Sequence, residues 1–344
     1  MPMSSAFEGR LYPALKDIAD HFQSPFHIYD EAGIRETGRA LKAAFRAHRP
    51  FREYFAVKAL PNLRILGIMR EMGFGFDCSS IPELVFSRMA GGSGEDIMFT
   101  SNNTTAREFA AAQADGGSIV NLDDISLVDK LEPFPELICF RYNPGPRRTG
   151  NAIIGNPAES KYGVSHDQIV SAYRRAIQHG ARRFGLHTMI ASNELDYRNL
   201  VETTRMILDI ASMVGRRTGI RFEFVNIGGG IGIPYRPDQE AFGLAAMAAE
   251  VEDLFGAFRS ANGYRPGLSM ECGRFMTGPH GVLVTRAINF KSIYREYVGV
   301  DACMSALMRP AMYGAYHHIT VPGRPSGTPC RVVDVVGALC ENND

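Results

Sequence analysis

Tryptophan is absent, and so is net charge: 37 Lys and Arg stand against 37 Asp and Glu. A balanced chain has no general field to draw it to nucleic acid or an anionic membrane, so neither partner is expected. The six cysteines, Cys78, Cys139, Cys272, Cys303, Cys330 and Cys340, are scattered, with no C-x-x-C pair and no Cys/His spacing that suits zinc. A reducing compartment fits that pattern, and no metal is expected. No apolar run approaches the roughly 18 residues of a membrane span. The first twenty residues carry charges where a secretory leader needs an apolar stretch, so the chain is expected in the cytoplasm. Internal repeats and low-complexity linkers are missing too.

What is present is a 344-residue composition of 45% apolar and 22% charged residues, that of a globular chain able to bury a full core. The length exceeds one ordinary domain and falls short of three. Short apolar runs at 54–57, 74–76, 97–100, 118–122, 137–142, 184–187, 222–227 and 268–271 alternate with amphipathic stretches. Those stretches lie near 62–72, 82–90, 105–114, 124–131, 167–179, 199–217 and 238–261, and a helix with Ile34, Leu41 and Phe45 on one face precedes the first run. The alternation is that of βαβ units, and eight of them over about 240 residues predict a closed (β/α)8 TIM barrel. The chemically unusual residues fall at strand C-termini, where such a barrel keeps its chemistry: Lys58, Asp77, Asn102, Asn103, Arg141, Asn143, His187, Gly228 to Gly230, and Glu271. A doubly wound open sheet would gather them near one switch point instead of around a ring.

After Glu271 the texture changes to β-branched runs without helices between them, at 281–290, 297–300, 318–321 and 331–336. These predict a C-terminal all-β domain, with the isolated strand at 25–30 joining it. The expected division is 1–33 for an N-terminal segment that pairs with the β domain, 34–279 for the barrel, and 280–344 for the β domain.

Lys58 ends the run Tyr54-Phe-Ala-Val-Lys58. It reads either as a strand-end lysine snorkelling to water or as an amine whose pKa burial lowers, freeing it as a nucleophile toward a carbonyl. Asn226-Ile-Gly-Gly-Gly-Ile-Gly232 follows a strand directly. It is a tight turn, or a loop whose N–H groups wrap a phosphate, and it lacks both the P-loop lysine and the spacing of a dinucleotide fingerprint. Glu271-Cys-Gly-Arg274 puts a carboxylate and a guanidinium on the same rim, a surface ion pair if taken alone. Together the three have a specific use, a pyridoxal 5'-phosphate (PLP) site. Lys58 would hold the aldehyde as a Schiff base, the glycines and Arg274 the phosphate, and Glu271 the ring nitrogen.

At these residues the chain resembles a known family. Phe55-Ala-Val-Lys58-Ala59, Phe76-Asp77-Cys-Ser-Ser-Ile-Pro-Glu83, Gly228-Gly-Gly230, Glu271-Cys-Gly-Arg274 and Cys340-Glu341 are similar to motifs of the fold-type III PLP-dependent decarboxylases. The stretch from Asp301 through Arg309-Pro-Ala-Met-Tyr313 to His317 is most similar to the branch that acts on diaminopimelate. The resemblance runs in unchanged order from about Pro25 to the last residue. It implies a barrel of the alanine-racemase type, with Lys58 as the Schiff-base lysine and Asp77, Glu83, His187 and Ser192 around the cofactor. Gly228, Gly229, Gly230 and Arg274 would hold the phosphate, and Glu271 would pair with the pyridine nitrogen. Arg274, Arg309 and Tyr313 would bind substrate carboxylates and Glu341 the distal ammonium. Cys340 resembles a catalytic cysteine that enters the neighbouring subunit's active site, which implies a homodimer with shared sites and a small amino-acid substrate. For Arg309 and Glu341 the plain alternatives are a structural ion pair and a solvent-facing side chain.

Four departures qualify the resemblance. His187-Thr-Met189-Ile-Ala-Ser192 stands where the family often has two histidines, so either His187 or Met189 would cover the ring. Cys272 replaces a usual proline, and the loop Ser101 to Thr105 lacks a lysine often found there. The chain stops soon after Cys340-Glu341, leaving under about 100 residues beyond the barrel, thin for a complete β domain, so the expectation is a fragment or an unusually small one. The expected reaction is decarboxylation of meso-2,6-diaminopimelate to L-lysine. The alternatives are a decarboxylase of ornithine, arginine or carboxynorspermidine, a racemase, which Glu271 argues against, and a non-catalytic PLP-binding or dimer-interfering fragment.

Overall fold

The computed structural model describes residues 3–148, 156–323 and 331–344, so Cys330 lies outside the described residues. A helix α1 (Ser5–Phe22) and a strand β1 (Phe26–Tyr29) precede α2 (Glu31–Ala44). Strands and helices then alternate: β2 (Phe51–Ala56), α3 (Leu63–Glu71), β3 (Gly75–Cys78), α4 (Ile81–Met89), β4 (Gly94–Thr100), α5 (Ala106–Gln113), β5 (Ser118–Leu122) and β6 (Leu137–Arg141). The alternation continues through α6 (Ile169–Gln178), β7 (Arg183–His187), α7 (Tyr197–Thr218), β8 (Phe224–Asn226), α8 (Leu244–Asn262), β9 (Gly267–Met270) and the short α9 (Arg274–Thr277). Strands β2 to β9 form a closed parallel barrel, sealed where β2 pairs with β9 and Phe51 lies opposite Leu268.

Strands covered on both faces need apolar side chains at successive positions, which is why the barrel reads as short unbroken runs. Every residue of β3 and of β9 is buried. Tyr54, Met98, Ile119, Leu137 and Cys139 make one buried cluster with Phe224 packed against it. Gly185 makes room for that ring, since a Cβ there would lie 2.1 Å from Phe224 Cζ. Under the helices Tyr173 is fully buried among Phe140, Phe184 and Phe222, and its hydroxyl donates to the Gly185 carbonyl at 2.5 Å.

The chain divides into two units, one of residues 35–233 and 241–277 that holds the barrel, the other of 1–34, 234–240 and 278–344. In the second unit β1 pairs antiparallel with β10 (Gly281–Val284). A separate sheet has β11 (Ala287–Ser292) antiparallel to β12 (Glu296–Val300), and β13 (Asp334–Val336) parallel to β12. A short helix α10 (Arg309–Tyr313) precedes β13.

Some expectations need correction. Residues 125–130 form a 3-10 segment rather than an α-helix, α8 begins only at Leu244, and 318–321 is not a strand. Helix α1 was not anticipated: it carries an internal Pro13 and buries only Phe7 and Leu11, so its apolar stripe is weak. Among the described residues no helix is long and apolar enough to cross a membrane, and no group of His, Cys, Asp and Glu is arranged to hold a metal ion.

Candidate active site

Register decides which side chains meet at the barrel's C-terminal rim. Arg141 lies beside His187, and His187 beside Asn226, so three polar side chains form one row across β6, β7 and β8. Glu271 follows β9 directly, and its backbone N–H donates to the Gly228 carbonyl at 3.0 Å. Its buried carboxylate accepts from Asn226 Nδ2 at 2.7 Å on one oxygen and lies 3.1 Å from His187 Nε2 on the other. Burial opposes the charge on Glu271, yet His187 beside it, helped by Lys58 and Asn226, holds its carboxyl below the ordinary range.

Lys58 sits in a 3-10 turn at the end of β2, its side chain 60% exposed, with Nζ 3.0 Å from Asp77 Oδ2. Asp77 is buried in β3, and burial with the nearby charge of Glu271 pushes its carboxyl up to about 6. The Asp77 carboxylate in turn raises the Lys58 pKa, with Glu271 and Glu83 adding to it. The expected lowering by burial is thus reversed, because a carboxylate within hydrogen-bond distance outweighs desolvation. The amine is stored as an ammonium, its proton on Nζ.

Glu83 lies in the first turn of α4, and its carboxylate accepts from the Ser79 N–H at 3.0 Å and the Ser80 hydroxyl at 2.8 Å, which ties the loop before the helix to its first turn. It reaches Lys58 only through its charge. Ser192 lies in the bend after β7, partly buried, and Arg274 opens α9 beside the rim. In the glycine loop, the Gly228 N–H donates to Asn226 Oδ1 at 2.9 Å and the Gly229 N–H points at Met189 Sδ, 3.2 Å away. Met189, not His187, lies against this loop, while His187 faces Glu271. Gly229 cannot carry a side chain, since a Cβ would sit 2.2 Å from the Glu271 carbonyl oxygen.

In the second unit Arg309 stacks over the Tyr235 ring at 4.8 Å and lies 3.0 Å from His317 Nε2. Tyr313, Cys340 and Glu341 are exposed. The barrel unit therefore brings together Lys58, Asp77, His187, Glu271 and the glycine loop, while Arg309, Tyr313, Cys340 and Glu341 belong to the other unit.

Two participants escaped the sequence reading. Asn226 was seen only as the start of the glycine run, yet it ties Glu271 to that loop, and an Asn ending an apolar strand was the available signal. Asp123 is buried beside Arg141 at 3.5 Å and accepts from Asn102, while the Arg141 guanidinium covers the Tyr162 ring at 4.3 Å. A lone Asp after β5 gave no comparable cue.

The residues present fit PLP. Asp77 Oδ1 and His187 Nδ1 are buried without a hydrogen-bond partner, so this end of the barrel holds polar capacity that its own side chains leave unused. A thioether is a poor acceptor, so the Gly229 N–H is open to a phosphate oxygen. Ionised Glu271 is the partner a protonated ring nitrogen needs.

Barrel, rim lysine, glycine loop and buried carboxylate together define a PLP-dependent enzyme. The chain belongs to the pyridoxal-dependent decarboxylases: the model of that family's pyridoxal binding domain matches residues 31–278. Its cofactor is PLP, and it is a carboxy-lyase. The chain is similar to protein TabA of Pseudomonas amygdali pv. tabaci, 45% identical over 348 residues that span 100% of this chain and 81% of that protein. It is 37% identical to a diaminopimelate decarboxylase of Methanothermobacter thermautotrophicus over 95% of this chain and 78% of the relative. A crystal structure of diaminopimelate decarboxylase from M. jannaschii in complex with L-lysine superposes with a TM-score of 0.85 at 26% identity, covering 95% of this chain and 78% of that one.

Proposed function

We propose that this chain decarboxylates meso-2,6-diaminopimelate at its D-centre, releasing CO2 and leaving L-lysine, the last step of lysine biosynthesis. The observation that carries the reading is the pairing, inside one barrel, of Lys58 with Asp77 and of Glu271 with His187 and Asn226. The choice of substrate is supported by the 37% identical diaminopimelate decarboxylase and by the lysine in the complex described above.

Lys58 would hold the cofactor's aldehyde, Gly228, Gly229, Gly230, Ser192 and Arg274 its phosphate, and Asp77, Glu83 and His187 its surroundings. Glu271 would keep the ring nitrogen protonated. When bound, PLP supplies the sink for the electron pair left on Cα as the bond to the carboxylate breaks and CO2 departs. The reaction consumes one proton, which Cα must receive. Cys340 of a second copy would deliver it from its thiol, which makes the working unit a homodimer, in the cytoplasm. Arg309 and Tyr313 would bind the distal carboxylate and Glu341 the distal ammonium, so that a substrate lacking either leaves a charge unpaired.

The test is CO2 release from the PLP-loaded protein, offering meso-diaminopimelate, L-lysine, L-ornithine and L-arginine separately. Release from meso-diaminopimelate alone is expected. Arg309→Ala should lower kcat/KM for it about 100-fold, since a charged contact is lost, with PLP absorbance unchanged. TabA, at 45% identity, bears a name that states no substrate, which keeps another diamino acid as the second reading. Release from ornithine or arginine instead would establish that one.

A further inference from the structure

Glu53 is a carboxylic acid in a place that no substrate or cofactor reaches. It is buried in β2 beside Tyr54, which belongs to the barrel's inner cluster, and successive strand residues face opposite ways, so Glu53 lies on the face turned toward the helices. Its Oε1 accepts from the backbone N–H of Cys272 at 2.5 Å, and its Oε2 is buried without a partner. Cys272 stands between Glu271 and the Gly273-Arg274 turn. That turn packs on the segment carrying Lys58: a Cβ on Gly273 would fall 2.6 Å from Ala59 Cβ and 3.1 Å from Ala56 Cβ. A small displacement of Cys272 therefore moves Glu271 relative to Lys58.

We propose that Glu53 is a positioning residue, which sets the Glu271–Arg274 turn through the Cys272 N–H. Burial pushes its carboxyl well above the ordinary range against the opposing pull of that N–H and of the Cys272 thiol, and the charges of Glu271 and Asp77 add to the rise. The rise favours the uncharged acid, the form that sits behind Glu271 without repelling it. A proline in place of Cys272 would have no N–H to donate, so Glu53 and Cys272 form a matched pair. The inference rests on Glu271 being the partner of the ring nitrogen.

The test compares Glu53→Gln, which keeps a neutral acceptor, with Glu53→Leu, which fills the space without one. PLP affinity is read by absorbance titration of the cofactor-stripped protein, with the absorption maximum of bound cofactor and the melting temperature of the stripped protein read alongside. At metal sites the loss of a contact behind a ligating side chain costs about tenfold or more, and the same order is expected for a side chain that holds the cofactor ring. Glu53→Leu should therefore weaken PLP binding about tenfold and shift the absorption maximum, while Glu53→Gln stays within about twofold of the parent. The double variant Glu53→Leu/Cys272→Pro leaves neither donor nor acceptor unpaired, and decides the matter if Glu53→Leu alone does not fold. Tenfold weaker binding in it upholds the proposal. Parent-like affinity and spectrum in Glu53→Leu or the double variant, or loss of affinity in Glu53→Gln equal to that in Glu53→Leu, overturns it. Glu271→Gln, measured in parallel, tests the underlying reading by itself: an unchanged spectrum there removes Glu271 from the ring nitrogen, whatever Glu53 does.

Discussion

Lys58 and Asp77 show how one contact inverts the behaviour of a functional group. A strand-end lysine walled by a barrel invites the expectation of a depressed pKa, but the Asp77 carboxylate 3.0 Å away holds the proton on instead. The amine is thus held charged and in place beside Asp77, and in the proposed role a carbonyl partner would draw it out. Asp77→Asn removes the first cause of the rise, so Lys58 should lose its proton at lower pH. The rate at which added PLP attaches to the lysine, followed by absorbance near neutral pH, should rise about tenfold, the effect of one pH unit on the free amine. A rate profile against pH identical to the parent's would show that Asp77 does not govern the amine. Asn226 works in the same register: one amide ties carboxylate to glycine loop, and with His187 on its other oxygen the buried Glu271 carboxyl is held below the ordinary range.

Where elements meet at the foot of the barrel, three side chains from distant parts of the chain lock together. His48, after α2, is buried with Nδ1 2.8 Å from Arg265 Nη2, and Arg265 pairs with Glu252 of α8. The His48 ring meets Phe255 edge to face at 4.2 Å. Burial, then the Arg265 charge, lowers the His48 pKa from 6.5 to about 4. The unfolded chain therefore takes up a proton below pH 6.5 that the folded one refuses until about pH 4, so stability falls as pH drops through that window. The loss at pH 5 relative to pH 7 should be about 2 kcal/mol, and His48→Gln should remove that part of the slope in urea unfolding curves. Equal slopes in parent and variant would contradict it.

The barrel's strands were legible because two-sided burial writes continuous apolar runs, and Lys58, Glu271 and the glycines were legible because rare residue types sit at strand ends. The His48 lock and the Glu53 carboxyl were not, since their partners lie more than 200 positions away and nothing local marks them. The β-branched run at 318–321 misled for a related reason: β-propensity counts only when a neighbouring strand supplies hydrogen bonds.

For the molecule as a whole, the proposal of a homodimer with shared sites makes a quantitative prediction. Lys58→Ala and Cys340→Ala should each be nearly inactive alone. Mixed and allowed to exchange subunits, half of the dimers would be hybrids with one intact site of two, so about one quarter of parental activity should return. No recovery despite proven exchange would place Cys340 in its own chain's site or outside the chemistry. The closure of β2 onto β9 has a consequence of a different kind. Lys58 leaves the ribosome early, while Glu271 and Arg274 emerge only with the last stave of the barrel. On the proposed assignment, a nascent chain would own the attaching amine long before it owned the anchor for the other side of the ring. With the proposed roles of these residues, cofactor capture would wait for the circle to shut, and the bound cofactor would then act as a rivet across the joint where the first and last strands meet.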